Sequence, residues 1–350
     1  MPVLQRASYI ACLTETTSGT LNAPAAANGI ICYEADLQPL NESTSTERHP
    51  IVGHMGTQVP VPGLQGGTFK CKTFLVGSGI DPTGTATAPY YAPLMIGCGW
   101  QQDVTAATNV KFKPASYINE AAWSSTADFA GWDTLSIFEF AKVTAAGGAD
   151  HVYKLKGAAG NSKISAKVGE PLTVEFDMKG CYVAAVDDAT VSTPTFTNGT
   201  VVPKPFLGAT ATWTPNGGSA HTFIGLRSFE IDLGCEVVFR TDANDSSGRL
   251  AAVIVDRKPT WKITVEDPND YDSAAGQDWW AAFVAQTFGA LNIGPIGSTA
   301  GNIVEIDVPV AGILKVSSSF EDGIRVLEVE GSCANSAITT GDDEIVITLT

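Results

Sequence analysis

Two distant stretches of this chain carry the same succession of residue types. Pro89-Tyr90-Tyr91-Ala92-Pro93-Leu94-Met95 is answered by Asp278-Trp279-Trp280-Ala281-Ala282-Phe283-Val284, an aromatic pair followed by alanine and apolar residues. Landmarks flank both copies in the same order. Upstream, Thr68-Phe69-Lys70 corresponds to Thr260-Trp261-Lys262, and Tyr33-Glu34-Ala35-Asp36-Leu37 to Phe229-Glu230-Ile231-Asp232-Leu233. Downstream, Lys163-Ile164-Ser165, Val174-Glu175-Phe176-Asp177 and Gly180-Cys181 find counterparts in Lys315-Val316-Ser317, Val326-Leu327-Glu328-Val329-Glu330-Gly331 and Cys333. A repeat this long implies two tandem domains and excludes a solenoid. The 350 residues are enough for two domains, each with its own core.

Short runs of Val, Ile, Thr and aromatics, punctuated by 35 glycines and 19 prolines, give a mainly β composition. Residues 1–29 read as an arm and the strand around Tyr33 opens the first repeat. There strict alternation puts Tyr33, Ala35 and Leu37 on one face and Glu34 and Asp36 on the other. Gln38 to Gly67 and Gly234 to Pro259 are polar excursions at the same point of each copy and read as long hairpins. Long polar hairpins at the same point of both copies are costly to keep unless something orders them. A helix is expected from Asp272 or Ser273 to about Phe288, and a shorter one from near Tyr91 with Pro93 in its first turn. The stretch from about 100 to 160 exceeds its counterpart and reads as an insertion. The division is therefore 1–183 for the arm and first domain, 184–227 for a Thr-, Pro- and Gly-rich linker with one hairpin whose turn is Trp213-Thr214-Pro215-Asn216-Gly217, and 228–350 for the second domain.

The net charge of −16 and pI near 4.6 argue against a surface that binds nucleic acid by neutralising phosphates. The opening residues lack a basic, then apolar, leader and no apolar run reaches membrane-spanning length, so a cytoplasmic, soluble protein is expected. Seven cysteines without a C-x-x-C spacing signal neither a disulfide framework nor a zinc ribbon and read as small buried hydrophobes. His49 and His54 match no ligand spacing. Asp242, Asn244 and Ser246 resemble the start of a calcium loop, but Gly248 falls late and Val253 stands where a bidentate Glu belongs. Asp267, Asp270 and Asp272 suit the approach to a helix N-terminus. Asn41-Glu42-Ser43 and Asn198-Gly199-Thr200 match the glycosylation pattern, which carries no meaning without a leader. No nucleophile elbow, phosphate loop or His-Glu-x-x-His is present, so no enzyme, cofactor or metal is expected. The Trp279-Trp280 pair could stack a sugar, but Tyr-Tyr at the matching place points to core packing.

The informative pattern is four strands that each carry two carboxylates on one face: Glu34 and Asp36, Glu175 and Asp177, Glu230 and Asp232, Glu328 and Glu330. Like charges side by side in a sheet are unfavourable. The pattern is either a solvated face or a wall kept negative, such as that of a conduit for DNA.

Leu13-Thr14-Glu15-Thr16-Thr17-Ser18-Gly19, Ala25-Ala26-Ala27-Asn28-Gly29-Ile30, Gly66-Gly67, Leu75-Val76-Gly77-Ser78-Gly79 and Tyr91-Ala92-Pro93-Leu94-Met95-Ile96-Gly97-Cys98-Gly99 resemble the major tail tube proteins of long, non-contractile-tailed bacteriophages. The resemblance covers roughly residues 1–100. It implies two tandem β-sandwich or barrel domains with flanking helices, rings that share an inner barrel, and rings stacked into a genome conduit. It also implies a location in the virion tail after assembly in the host cytoplasm. The partners it implies are copies of the same chain as homotrimeric rings, the tape-measure protein in the lumen, and the tail terminator and distal tail proteins. DNA would pass without specific binding, and no membrane is involved. The eight carboxylates are then the expected lumen-lining residues. A β-sandwich carbohydrate-binding or adhesion protein is the rival reading.

Overall fold

The computed structural model describes residues 8–49, 58–80, 87–105, 108–115, 133–141, 150–188, 194–196, 201–223, 225–267, 277–337 and 341–350. His54, Asn198, Asp270, Asp272 and the expected helix start at Asp272 or Ser273 lie outside them.

The described chain is mainly β and runs twice through one order of elements. The first pass is β1 (Tyr9–Thr14), β2 (Gly29–Ile30), β3 (Glu34–Gln38), a hairpin of β4 (Ser45–Arg48) and β5 (Gln58–Pro62), β6 (Gly66–Phe74), α1 (Ala92–Gly97), a hairpin of β7 (Trp100–Thr105) and β8 (Asn109–Pro114), β9 (Leu135–Ala141), β10 (Asp150–Lys167) and β11 (Thr173–Asp188). The second is β12 (Ala211–Pro215), β13 (His221–Thr222), β14 (Ser228–Asp232), a hairpin of β15 (Cys235–Thr241) and β16 (Arg249–Arg257), β17 (Thr260–Glu266), α2 (Trp279–Val284), β18 (Phe288–Ile296), β19 (Val304–Glu321), β20 (Ile324–Ala334) and β21 (Val346–Leu349).

The pairing makes the repetition explicit. In the first pass β3 pairs with β6, β6 with β11 and β11 with β10; in the second β14 pairs with β17, β17 with β20 and β20 with β19. The early half of β10 also pairs with β9, then β1 and β2, as the early half of β19 does with β18, then β12 and β13. The later half of β10 crosses to β14, with Lys163 opposite Asp232 and Lys167 opposite Ser228. The two passes are thereby fused into one antiparallel sheet of strand order β3-β6-β11-β10-β14-β17-β20-β19. The elements without a counterpart, β7–β8 and β21, pair with one another through Phe112 and Ile347.

Several sequence expectations shift accordingly. The pairings that set Glu34 beside Lys72 and Glu230 beside Lys262 align Lys72, not Lys70, with Lys262, and Glu175 with Glu330. The landmarks therefore slip by two residues, which preserves the face of each side chain but changes its partner. Of the stretch 100–160, β9 and the start of β10 match β18 and the start of β19. These strands share alternation but little identity, so their kinship shows only in space. Within 184–227, β12 and β13 form the expected hairpin, with Gly218 N–H donating to Pro215 O at 2.9 Å, yet β12 is also laddered onto β18. The arm likewise contains β1, paired along its length with β9.

The core follows from alternation. Phe69, Tyr91, Phe112 and Phe176 are buried in the first pass and Trp213, Trp261, Trp279 and Ile231 in the second. Trp100 is buried with its indole N–H donating to Ser162 Oγ at 2.7 Å, which satisfies the one polar atom it carries inside. Helix α1 has Pro93 in its first turn, as expected. Helix α2 is shorter than expected. Asp278, not Asp272 or Ser273, caps it by accepting the Ala281 N–H at 2.9 Å, and the left-handed Gln286, at φ 52°, ends it before β18 begins at Phe288.

Glu15 is the principal buried tie. Its carboxylate is 5% exposed and accepts from Gly19 N–H at 2.7 Å, Thr134 Oγ1 at 2.6 Å, Ser136 Oγ at 2.8 Å and Gly157 N–H at 2.8 Å. Gly157, at φ 57°, stands in the irregularity between Lys156 and Ala159 of β10, where an added Cβ would lie 2.8 Å from Ala251 Cα.

That close approach arises because the β15–β16 hairpin lies over the first pass. Ala252 and Ile254 pack on Ala159, Gln65 N–H donates to Ser247 O at 2.9 Å, Arg257 donates to Ala115 O at 2.6 Å, and Lys156 pairs with Asp245. The excursion 234–259 is thus packed within its own chain. The β4–β5 hairpin, by contrast, is exposed along both strands.

Candidate functional site

Cross-strand neighbours in a sheet share a face, so the ladder fixes which charged side chains meet. All eight expected carboxylates lie on one face of the shared sheet, opposite the buried Phe176, Ile231, Ile263 and Val329. They do not form an unbroken acidic wall. Every acid-bearing strand is followed in space by one that carries lysine: β3 by Lys70 and Lys72 of β6, β11 by Lys163 of β10, β14 by Lys262 of β17, and β20 by Lys315 of β19. The expected clash of like charges is relieved because strands adjacent in space are not the acid-bearing ones.

The ion pairs run across the sheet. Lys70 reaches Asp177 at 2.8 Å and Lys72 reaches Glu175 at 2.7 Å. Lys163 reaches Glu230 at 2.8 Å across the seam between the two passes. Lys262 reaches Glu328 at 2.9 Å and Glu330 at 3.4 Å, and Lys315 reaches Glu330 at 3.5 Å. Hydrogen bonds that Lys70, Lys72 and Lys262 donate to Asp177, Glu175 and Glu328 raise these lysines above the ordinary value. Burial pushes the Glu330 carboxyl up, but Lys262 and Lys315 outweigh it and hold it below its ordinary value. Asp232 is fixed differently, accepting Asn161 Nδ2–H at 2.7 Å and Gly234 N–H at 2.8 Å. Asp36 accepts Gln38 Nε2–H at 2.6 Å.

The part these five lysines play on the charged face was missed in the sequence, where four of them served only as landmarks of the repeat. One or two lysines in a strand carry no local signal; only the spatial order of strands makes them part of a series. Other candidates resolve into structure. Asp242 and Asp245 fold their own loop, accepting Asn244 N–H at 2.8 Å and Ser247 N–H at 2.9 Å. Exposed His49 pairs with Glu47 at 2.9 Å. Trp279 is 1% exposed within the core, whereas Trp280 is 37% exposed, so the pair divides its roles. Burial raises the thiols of Cys12, Cys71 and Cys98, and pushes Cys181 and Cys235 up to about 12, so these cysteines stay protonated and act as apolar side chains. Among the described residues no group of His, Cys, Asp and Glu is placed to hold a metal ion, and no helix is long and apolar enough to cross a membrane.

The face ends in two open edges of opposite charge, acidic β3 and the lysine-bearing later half of β19. A groove of ≈ 1620 Å³ borders the β3 edge, with Glu34, Asp36, Glu139 and Phe196 in its lining. Burial, and Asp36 nearby, raise the Glu139 carboxyl above its ordinary value.

A family model described as phage tail tube protein matches residues 5–350. No curated protein matches the chain.

Proposed function

The chain belongs to the phage tail tube protein family, and from that premise we propose that it is the ring-forming subunit of a tube in a long, non-contractile phage tail. Membership makes it a structural protein of the virion tail. The observation that carries the finer reading is the seam between β10 and β14, which joins the two repeats into one sheet with a continuous charged face. A sheet that adds a second copy of its own module through one repeated contact closes into a ring when the rotation per module permits.

With two modules in each chain, three chains supply six modules and a barrel of about 24 strands, and barrels of roughly 16–18 strands already leave an aqueous channel. The charged face would line that lumen, because the opposite face is already filled by core. Glu34, Asp36, Glu175, Asp177, Glu230, Asp232, Glu328 and Glu330 then line the wall, five of them, Glu175, Asp177, Glu230, Glu328 and Glu330, held by lysines. In a chain of net charge −16 such a wall offers phosphates little net attraction, so DNA would slide through without binding. The tape-measure protein would occupy the same lumen before ejection, with the tail terminator and distal tail proteins at the tube ends. No step of this role needs a catalytic residue or a cofactor.

Electron microscopy of the purified chain, reconstructed without imposed symmetry, tests the reading. Three chains per ring with pseudo-sixfold modules and the β3–β20 carboxylates facing inward are expected. Six chains per ring, the two repeats stacked along the axis, or the carboxylates on the outer surface would overturn it.

A further inference from the structure

The seam inside the chain also describes a contact the chain makes with something else. Lys163, Ile164 and Ser165 of β10 lie opposite Asp232, Ile231 and Glu230 of β14. The counterparts of these residues are Lys315, Val316 and Ser317 on the later half of β19, and Asp36, Ala35 and Glu34 on β3. Both counterpart strands are open edges among the described residues, where β3 pairs only with β6 and the later half of β19 only with β20. Open edges of this length are templates for strand addition.

The residues at these edges look like a seam with one side removed. Ile164 is 1% exposed, whereas Val316 is half-buried; Phe229 is 2% exposed, whereas Tyr33 is 56% exposed. The strand order alternates acid and lysine without a break, and the next strand after lysine-bearing β19 should again be acidic. The edge at the far end of the sheet is.

The hairpins show the same asymmetry. Across the inner seam, the β15–β16 hairpin that follows β14 lies over the first repeat, with Ile254 Cδ1 close to Gly99 and Cys235 Sγ 3.6 Å from Cys98 O at the end of α1. Among the described residues nothing covers the corresponding end of α2 in this way: Val284 is 80% and Phe288 45% exposed. The hairpin that follows β3 is exposed in turn, with Val59 at 81% and Val61 at 49%.

Resting on the tube reading, we infer that the later half of β19 in one chain pairs antiparallel with β3 of a second copy, in the register Lys315 opposite Asp36 and Ser317 opposite Glu34. Lys315 Nζ then bridges to Glu34 of the second copy as Lys163 does to Glu230. The β4–β5 hairpin of that second copy covers Val284 and Phe288 of the first. The occupant of the β3 groove is thus the segment around Lys315–Glu321 of another copy of the chain.

Assembly from equal amounts of natural-abundance and ¹⁵N-labelled chain, followed by zero-length carbodiimide coupling and mass spectrometry, tests the pairing. Lys315 is expected joined to Glu34 or Asp36 in peptides that combine one light and one heavy chain, while Lys163–Glu230 links stay within one isotope. Tubes in which Lys315 couples between chains only to other carboxylates, or to none, overturn the inference and leave the tube reading standing. Chains that form no ring or tube overturn the tube reading and the inference with it.

Charge reversal gives an independent measure. K315E and E34K alone should each lower the assembled fraction at least about tenfold with the fold of the single chain unchanged by circular dichroism, and K315E/E34K should recover it. The V59D/V61D variant should lose assembly with an unchanged single-chain Tm. Singles that assemble normally, a reversed pair that does not recover, or a V59D/V61D variant that polymerises would each count against the interface.

Discussion

Lys163 and Glu230, contributed by different repeats, meet at 2.8 Å across the β10–β14 ladder, which joins the two halves of the charged face within the chain. The pair is half-exposed, which limits its own worth to about 0–1 kcal/mol. Reversal of Lys163 does more than remove the pair, because it places a third carboxylate between Glu175 and Glu230. K163E is expected to destabilise the single chain by roughly 1–2 kcal/mol, with most of the loss recovered in K163E/E230K. Denaturant unfolding of the four members of this cycle measures the coupling, and a coupling near zero would show that the seam is held by backbone pairing alone.

Glu15 has four donors aimed at one buried carboxylate. E15A leaves them unpartnered and should lower stability by about 3–5 kcal/mol, whereas E15Q keeps one acceptor oxygen and should lose about half as much. Chemical denaturation of both variants checks the order; equal losses would mean that shape, not acceptance, is what the site requires.

Acid should loosen the β15–β16 hairpin from the first repeat. Burial pushes the Asp245 carboxyl up, but the Lys156 ammonium and the N–H and hydroxyl of Ser247 outweigh it and hold the group below its ordinary 3.8. A depressed carboxyl contributes stability that is present above its unfolded value and lost as pH falls through its folded value. The Tm of the natural chain should therefore exceed that of D245N at about pH 6, and the gap should close as pH falls below about 3.8. A gap that widens in acid would reverse the assignment.

The two tryptophans of α2 should separate in their effects. Trp279 packs against Trp213 at 5.2 Å between ring centroids and against Phe223 at 5.7 Å, so W279A should cost about 3–5 kcal/mol. Trp280, partly exposed, should lose under about 1 kcal/mol as W280A. If Trp280 instead bound a sugar, its fluorescence would shift with added oligosaccharide, whereas no shift is expected.

The repeated order of landmarks and the segregation of carboxylates onto one face were legible because both show in short stretches of sequence, as Glu34 and Asp36 do around the apolar Ala35. Pairing partners were not, since they depend on strands brought together from far apart. Lys72 meets Glu175 and Lys163 meets Glu230 only after folding, so the face read as like charges when it is a ladder of opposite ones. The same non-locality hid β1 in an arm, β12 in a linker and β9 in an insertion, because the partner that makes each a strand is distant in sequence. Helix α2 was overdrawn at its start because Asp272 and Ser273 are as good a cap as Asp278 in composition, and at its end because nothing in Gln286 announces a left-handed turn.

The β10–β14 seam also bears on how quickly a ring could close. In the proposed assembly, contacts of one kind alternate between those made within a chain and those made between chains. The former meet at the high effective concentration of a tethered pair, as soon as the polypeptide folds, and need no encounter. Only every second contact waits on diffusion. A partly built ring would then present, at each moment, just one acidic and one basic edge, and could grow only head to tail.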